Sequence, residues 1–300
     1  MNAPDNAKRP FKILTLGHSL AVDSCHMLNL VAATEGYDRE LVIATLYYSG
    51  CRLSRHVEYL TENKDAYNLY LSSSATPEQP PLILKKVTME YALKYDAWDM
   101  IIMQGGVFEM ARDETFEGNY IETIVNYVNA NKTNPEAVFA WHMPWATPID
   151  HALRDKYPYT PNSYYTSYEA FGDDRLKLFG IFCENARKHI LTNPIFVRYI
   201  PTGAAFQNAL TSIFTEKDLH RDYAHATDLG RLMAAYTWYG VLAGVKAFDR
   251  IKVDAIPMAF LRSTADKTQD RPLTEQEKLA MVEAVNNALA NPLAVTASKY

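Results

Sequence analysis

Residues 11–23, FKILTLGHSLAVD, decide how the chain folds. Phe11–Leu16 is a short apolar run of the kind found in strands covered on both faces. Gly17-His18-Ser19 then makes a tight turn, and the residues beyond read as helix. Ser19 has two readings in that setting. A serine at a helix start caps free N–H groups, whereas one at the carboxyl end of a first strand is poised as a nucleophile.

Four further runs resemble the first: Leu41–Tyr47, Trp98–Met103, Ala137–His142 and Ile195–Ile200. Helical segments are expected over Ser24–Thr34, Leu82–Tyr95, Tyr120–Asn131, Arg175–Leu191 and Asp228–Ala243. Such alternation predicts an α/β fold of three layers, α/β/α, around a five-stranded parallel sheet with right-handed crossovers. Two stretches interrupt the rhythm as loops: Lys64–Pro81, and the proline- and tyrosine-rich Pro144–Thr166. The tail adds a β-like run, Ile251–Ala255, and a helix over about Thr274–Ala290 with Thr274 and Glu277 as a capping box. The 300 residues read as a single domain, core 11–250 with a C-terminal appendage 251–300.

Composition narrows the partners. A net charge of −5 and no run of Lys or Arg argue against nucleic acid. Neither a signal peptide nor a transmembrane span is evident, which predicts a cytoplasmic protein as written. Removal of a leader would make it periplasmic or secreted instead. Cys25, Cys51 and Cys183 are odd in number and lack metal-type spacing, so reduced, buried thiols are expected. Neither a metal nor a cofactor is implied. Oligomeric state is not encoded in any visible pattern.

Ligands of an open parallel sheet bind beyond the carboxyl ends of its strands. At those ends stand Gly17-His18-Ser19, then Gly50 within YYSGCRLSRH, Gln104 within MQGG, and His142 and Trp145 within WHMPWA. About twenty residues past the last strand comes RDYAHATDLGR, holding Arg221, Asp222 and His225. A serine, a histidine, an aspartate and backbone donors are the parts that acyl transfer needs. The hydroxyl requires a base, the imidazole an acceptor to hold its tautomer, and the oxyanion a set of N–H donors. Glu109 and Asp113 read as a solvated helical face. A phosphate-binding role is disfavoured, since the first turn lacks a glycine-rich loop and a lysine.

These blocks resemble the SGNH (GDSL-type) hydrolase superfamily over about residues 12–245. Gly17-His18-Ser19 stands for its Gly-Asp-Ser or Gly-Asn-Ser, Gly50 for its second-block glycine, and Asp222-Tyr223-Ala224-His225 for its Asp-x-x-His. The closer likeness is to a bacterial branch with a Gly-Asn-Ser-type first block and a glutamine-based third block. The resemblance implies a flavodoxin-like SGNH fold and a Ser19–His225–Asp222 triad. The backbone N–H groups of Ser19 and Gly50 would form an oxyanion hole, with Gln104 standing in for a missing asparagine. His18 occupies the usual Asp or Asn position. His18, His142, Trp145 and Arg221 are candidate substrate contacts, His142 is a rival base, and Trp145, Trp141, Tyr164 and Tyr165 are candidates to stack on a sugar. The expected activity is removal of small acyl groups, O-acetyl above all, from a small-molecule or oligosaccharide ester. A lipase or thioesterase on longer chains, and a non-catalytic carbohydrate-binding protein, are the alternatives.

Overall fold

The carboxyl ends of the parallel strands fall in register along one edge of a single sheet. The computed structural model describes residues 8–150, 174–256 and 272–300. The strands are β1 (Lys8–Gly17), β2 (Arg39–Tyr47), β3 (Tyr67–Ser73), β4 (Leu82–Val87), β5 (Met100–Gln104), β6 (Val138–His142) and β7 (Phe196–Ile200). Their order is β4-β3-β2-β1-β5-β6-β7. Strand β1 pairs in parallel with both β2 and β5, and the parallel ladder continues through β6 to β7. Gly17 faces Tyr47, Gln104 faces His142, and His142 faces Ile200, which aligns the ends that carry the candidate residues. Because β2 follows β1 on one side and β5 flanks it on the other, the end of β1 is the topological switch point.

The sheet has seven strands, a correction to the expected five. The two additions, β3 and β4, extend the edge beyond β2 as an antiparallel pair. Strand β3 arises inside the stretch read as a loop. Tyr67 and Leu69 alternate with less buried neighbours, a half-covered pattern that the following serines and prolines obscure. Strand β4 begins the segment read as one long helix. Its LILKKV is mostly exposed, with Lys85 and Lys86 on the edge, where charge discourages further pairing. Thr88 ends it, its hydroxyl capping the Tyr91 N–H at 3.0 Å to start a helix at Met89.

Most of the described helices fall into two groups whose members pack against one another. One holds α1 (Ser19–Cys25), α2 (Leu28–Glu35), and further along the chain Thr202–Ala209, Asp228–Ala243 and Glu275–Ala290; the other holds Leu53–Thr61, Met89–Tyr95 and Tyr120–Asn131. The helix expected over Ser24–Thr34 is two pieces, α1 starting at Ser19 and α2 ending where Gly36 turns left-handed. Helix Thr202–Ala209, all of it buried, was hidden by its small residues after Pro201. The β-like run Ile251–Ala255 is instead a 3-10 turn, Val253–Ala255. The Lys252 N–H there is taken by Glu35 and the Tyr236 hydroxyl, both at 3.1 Å, rather than by a strand. Thr274 and Glu277 form the expected capping box. The last helix packs on Thr202–Ala209 and Asp228–Ala243, with Asn208 donating to the Ala284 carbonyl at 3.2 Å. Cys25, Cys51 and Cys183 are free and buried.

Candidate active site

Strand β1 delivers its turn to the switch point, and His18 rather than Ser19 caps the helix that follows. The His18 backbone is extended, and its Nδ1 accepts the Leu20 N–H at 3.4 Å. Its own N–H donates to Gln104 Oε1 at 3.2 Å, fastening the turn to the end of β5. Ser19 is thereby the first residue of α1, half-buried, with its hydroxyl free of any protein partner among the described residues. As a first helical residue it also has no carbonyl one turn earlier for its N–H, and that N–H sits at the positive end of the helix.

Asp222 and His225 stand on the loop before helix Asp228–Ala243. One Asp222 oxygen accepts the N–H groups of Ala224 and His225, each at 2.8 Å, and this folds the loop onto the carboxylate. His225 Nδ1 lies 2.9 and 3.0 Å from the two carboxylate oxygens. Nδ1–H therefore donates to Asp222, which leaves Nε2 as the basic nitrogen. Burial pushes the Asp222 carboxyl up, but the His225 ring and the two backbone donors outweigh it and hold it below the usual carboxylate range.

Ser19, Gly50 and His225 line one cavity of about 90 Å³, together with His18, Ser49 and Tyr223. Gly50 makes the turn after β2 with φ +58°, a conformation that other residues adopt only at a cost. The structure thus gathers the expected serine, glycine, histidine and aspartate from three places in the chain. Ser49 and Tyr223 went unnoticed as wall residues, although each adjoins a motif residue. Tyr223 meets the His225 ring edge to face at 6.2 Å between centroids.

Five other candidates, Gln104, His142, Trp145, Trp141 and Arg221, do not line the Ser19 cavity, which corrects those expectations. The Gln104 side chain is buried, with Oε1 on the His18 N–H and Nε2 donating to His142 Nδ1 at 3.0 Å, so it is not part of the cavity wall. His142 is fully buried, its Nε2 3.1 Å from the Thr202 hydroxyl and its ring against Trp238. Burial, then the nearby His18, hold its pKa well below the ordinary value, so it stays neutral and is no rival base. Trp145 stacks on Phe206 at 4.6 Å and donates from Nε1 to the Ala224 carbonyl at 2.8 Å, clamping the His225 loop from behind. Trp141 is also fully buried. Arg221 is an ion-pair partner of Asp23 at 3.3 Å. Tyr164 and Tyr165 lie outside the described residues.

Two carboxylates play parts the sequence did not reveal. Glu109, read as solvated, is 3% exposed. Its oxygens accept the Leu53 N–H at 3.2 Å and the Gly106 N–H at 3.0 Å, joining the turn after β5 to the helix after β2. Burial raises its pKa against these hydrogen bonds. Asp113 does face solvent, paired with Lys188 and His189. Asp23, four residues beyond Ser19 on α1, is 2% exposed and holds Arg221, Arg231 at 2.7 Å and the Ala226 N–H at 3.0 Å. One carboxylate thus ties the helix of Ser19 to the residue after His225. A charge among LAVDSC, on a helix face otherwise apolar, was the available signal. Asp23→Ala leaves one buried and one half-buried guanidinium without their shared anion, an expected loss of about 3–5 kcal/mol. Thermal melts should fall by on the order of 10 °C, and an unchanged melting temperature would contradict the strut.

No curated protein matches the chain. Among solved structures, a DUF4886 family protein from Bacteroides uniformis ATCC 8492 is 24% identical, covers 96% of this chain and 98% of its own, and superposes with a TM-score of 0.71. A protein described as "a putative SGNH hydrolase" from Slackia heliotrinireducens is 18% identical over 77% of this chain and 98% of its own, with a TM-score of 0.44. The salicylyl-acyltransferase SsfX3 from a tetracycline biosynthetic pathway is 13% identical over 80% of this chain and 56% of its own, at a TM-score of 0.36. The family model for DUF4886, a domain of unknown function, matches residues 12–256, and the chain belongs to that family.

Proposed function

We propose that the protein is a serine esterase that removes small acyl groups from a polar substrate such as an O-acetylated carbohydrate. The observation that carries this reading is the Asp222–His225 pair opening onto the cavity that Ser19 shares. Ser19 Oγ attacks the acyl carbonyl while His225 Nε2 takes its proton. The imidazolium that forms is stabilised by Asp222 and then protonates the leaving alcohol. Water, deprotonated by the same nitrogen, releases the acid and restores Ser19. The Ser19 and Gly50 N–H groups stabilise the oxyanion in both halves. The small volume of the cavity supports a short acyl group, and Ser49 and Tyr223 give it polar walls. The aromatic contribution first expected from Trp145 is no part of this reading, because that ring is buried.

One observation favours a longer acyl chain. A mostly apolar cavity of about 260 Å³ lies one turn along α1 from Ser19, lined by Val22, Leu30, Ile43, Tyr70, Pro77 and Pro81. It shares no lining residue with the Ser19 cavity. A series of p-nitrophenyl esters separates the two readings. We expect kcat/KM to be highest for acetyl and at least tenfold lower for octanoyl, since each uncontacted methylene forfeits its burial. A preference for octanoyl would assign the apolar cavity to the acyl chain, and no turnover of any ester would favour a binding protein.

A further inference from the structure

Resting on the esterase reading, we propose that the His18 Nε2–H is the third oxyanion donor of this site, beside the Ser19 and Gly50 N–H groups. The ring is oriented by its other nitrogen. Nδ1 accepts the Leu20 N–H, so the proton of the neutral imidazole sits on Nε2. That Nε2 is buried and has no partner among the described residues, although the residue is only 3% exposed. An unpaired N–H is costly to bury, and one on a residue lining a cavity can be completed by an oxygen bound there. His18 also lines the cavity that holds Ser19, Gly50 and His225.

The end of β5 supplies the space that the His18 ring occupies. The strand β5 ends in Gln104-Gly105-Gly106, with no side-chain donor after the glutamine. A Cβ built at Gly106 would lie 2.9 Å from Glu109 Oε2 and 3.2 Å from His18 Nε2, so the bare glycine leaves room for both the carboxylate and the imidazole. Gln104 is unable to take the role, because its Nε2 faces His142. Nor does His18 compete with His225 as a base. Burial, with His56 and His225 nearby, lowers its pKa to about 3 and keeps it a neutral donor.

The test compares His18→Asn and His18→Gln with the parent protein on p-nitrophenyl acetate. Asparagine keeps a cap for the Leu20 N–H but is too short to place a donor where Nε2 stands. Glutamine carries an N–H₂ to roughly that distance. We expect His18→Asn to melt within a few degrees of the parent and to lose about 10²–10³ in kcat with KM changed less than about threefold. His18→Gln should recover at least tenfold in kcat over His18→Asn. If kcat in His18→Asn stays within threefold of the parent, or both variants lose activity in step with a lowered melting temperature, His18 is a cap and no donor. A parent protein without Ser19-dependent turnover is a different result, overturning the esterase reading itself.

Discussion

Ser19→Ala is expected to lower kcat on p-nitrophenyl acetate by about 10⁴–10⁶ while the protein folds as before. The expected loss is large because, in the proposed mechanism, the acyl bond forms on this hydroxyl, which starts α1 in the cavity shared with His225. Folding should be unaffected for a reason specific to this turn. His18, not Ser19, caps α1, and the Ser19 hydroxyl has no protein partner among the described residues. Alanine is also a better helix former than serine at an interior or first-turn position. His225→Ala should cost about as much, and the double variant no more than either alone, because the two side chains act as one unit. Steady-state kinetics beside a thermal melt check all three. Additive losses in the double variant would mean that the two residues act separately.

Acid should unfold this protein well above the carboxylate range. His18, His56, His142 and His220 are each at most 3% exposed. Burial lowers His18 to about 3 and His56 and His220 to about 4, with His142 also well below its ordinary value. The unfolded chain takes up these protons near pH 6.5 and the folded chain refuses them, so the contribution to stability is full above about 6.5 and is lost as pH falls toward the folded values. At pH 5 each such histidine removes roughly 2 kcal/mol. Several together approach the total stability of an ordinary domain. Two of the rings cannot charge without losing a hydrogen bond. His18 Nδ1 accepts from Leu20, and His142 Nδ1 from Gln104. The melting temperature should therefore fall steadily between pH 6.5 and pH 5. His56→Gln, which keeps a polar partner for the Tyr67 hydroxyl now 2.9 Å from Nδ1, should flatten that slope. A melting temperature constant across this range would contradict the account.

The parallel core and the switch point were legible because five apolar runs, each bounded by turn residues, have one physical meaning. The antiparallel edge was not. Strand β3 alternates over too few residues, and β4 keeps its apolar Leu82 and Ile83 exposed, so neither carries the periodicity of a buried element. Ser19, Gly50, Asp222 and His225 could be singled out because they match motif blocks in chain order, and Ser19, Gly50 and His225 do line one cavity. The failures have a common cause. Gln104, His142 and Trp145 follow or end strands and Arg221 adjoins a motif, and sequence does not say whether such a polar group faces the cleft or a buried partner. Each found a partner: His142 for Gln104, Thr202 for His142, Ala224 for Trp145 and Asp23 for Arg221. The same ambiguity hid Asp23 and Glu109, whose roles arise from contacts across 203 and 56 residues of chain.

The central claim is that Ser19 is a nucleophile activated by His225. Phosphonylation by a fluorophosphonate probe, located by peptide mass spectrometry, tests it most directly, since the probe modifies a serine only where a base activates it. The account predicts a single adduct on the peptide containing Ser19, abolished in Ser19→Ala and slowed at least a hundredfold in His225→Ala. An unlabelled Ser19 in the folded parent protein, or labelling equally fast without His225, would contradict it.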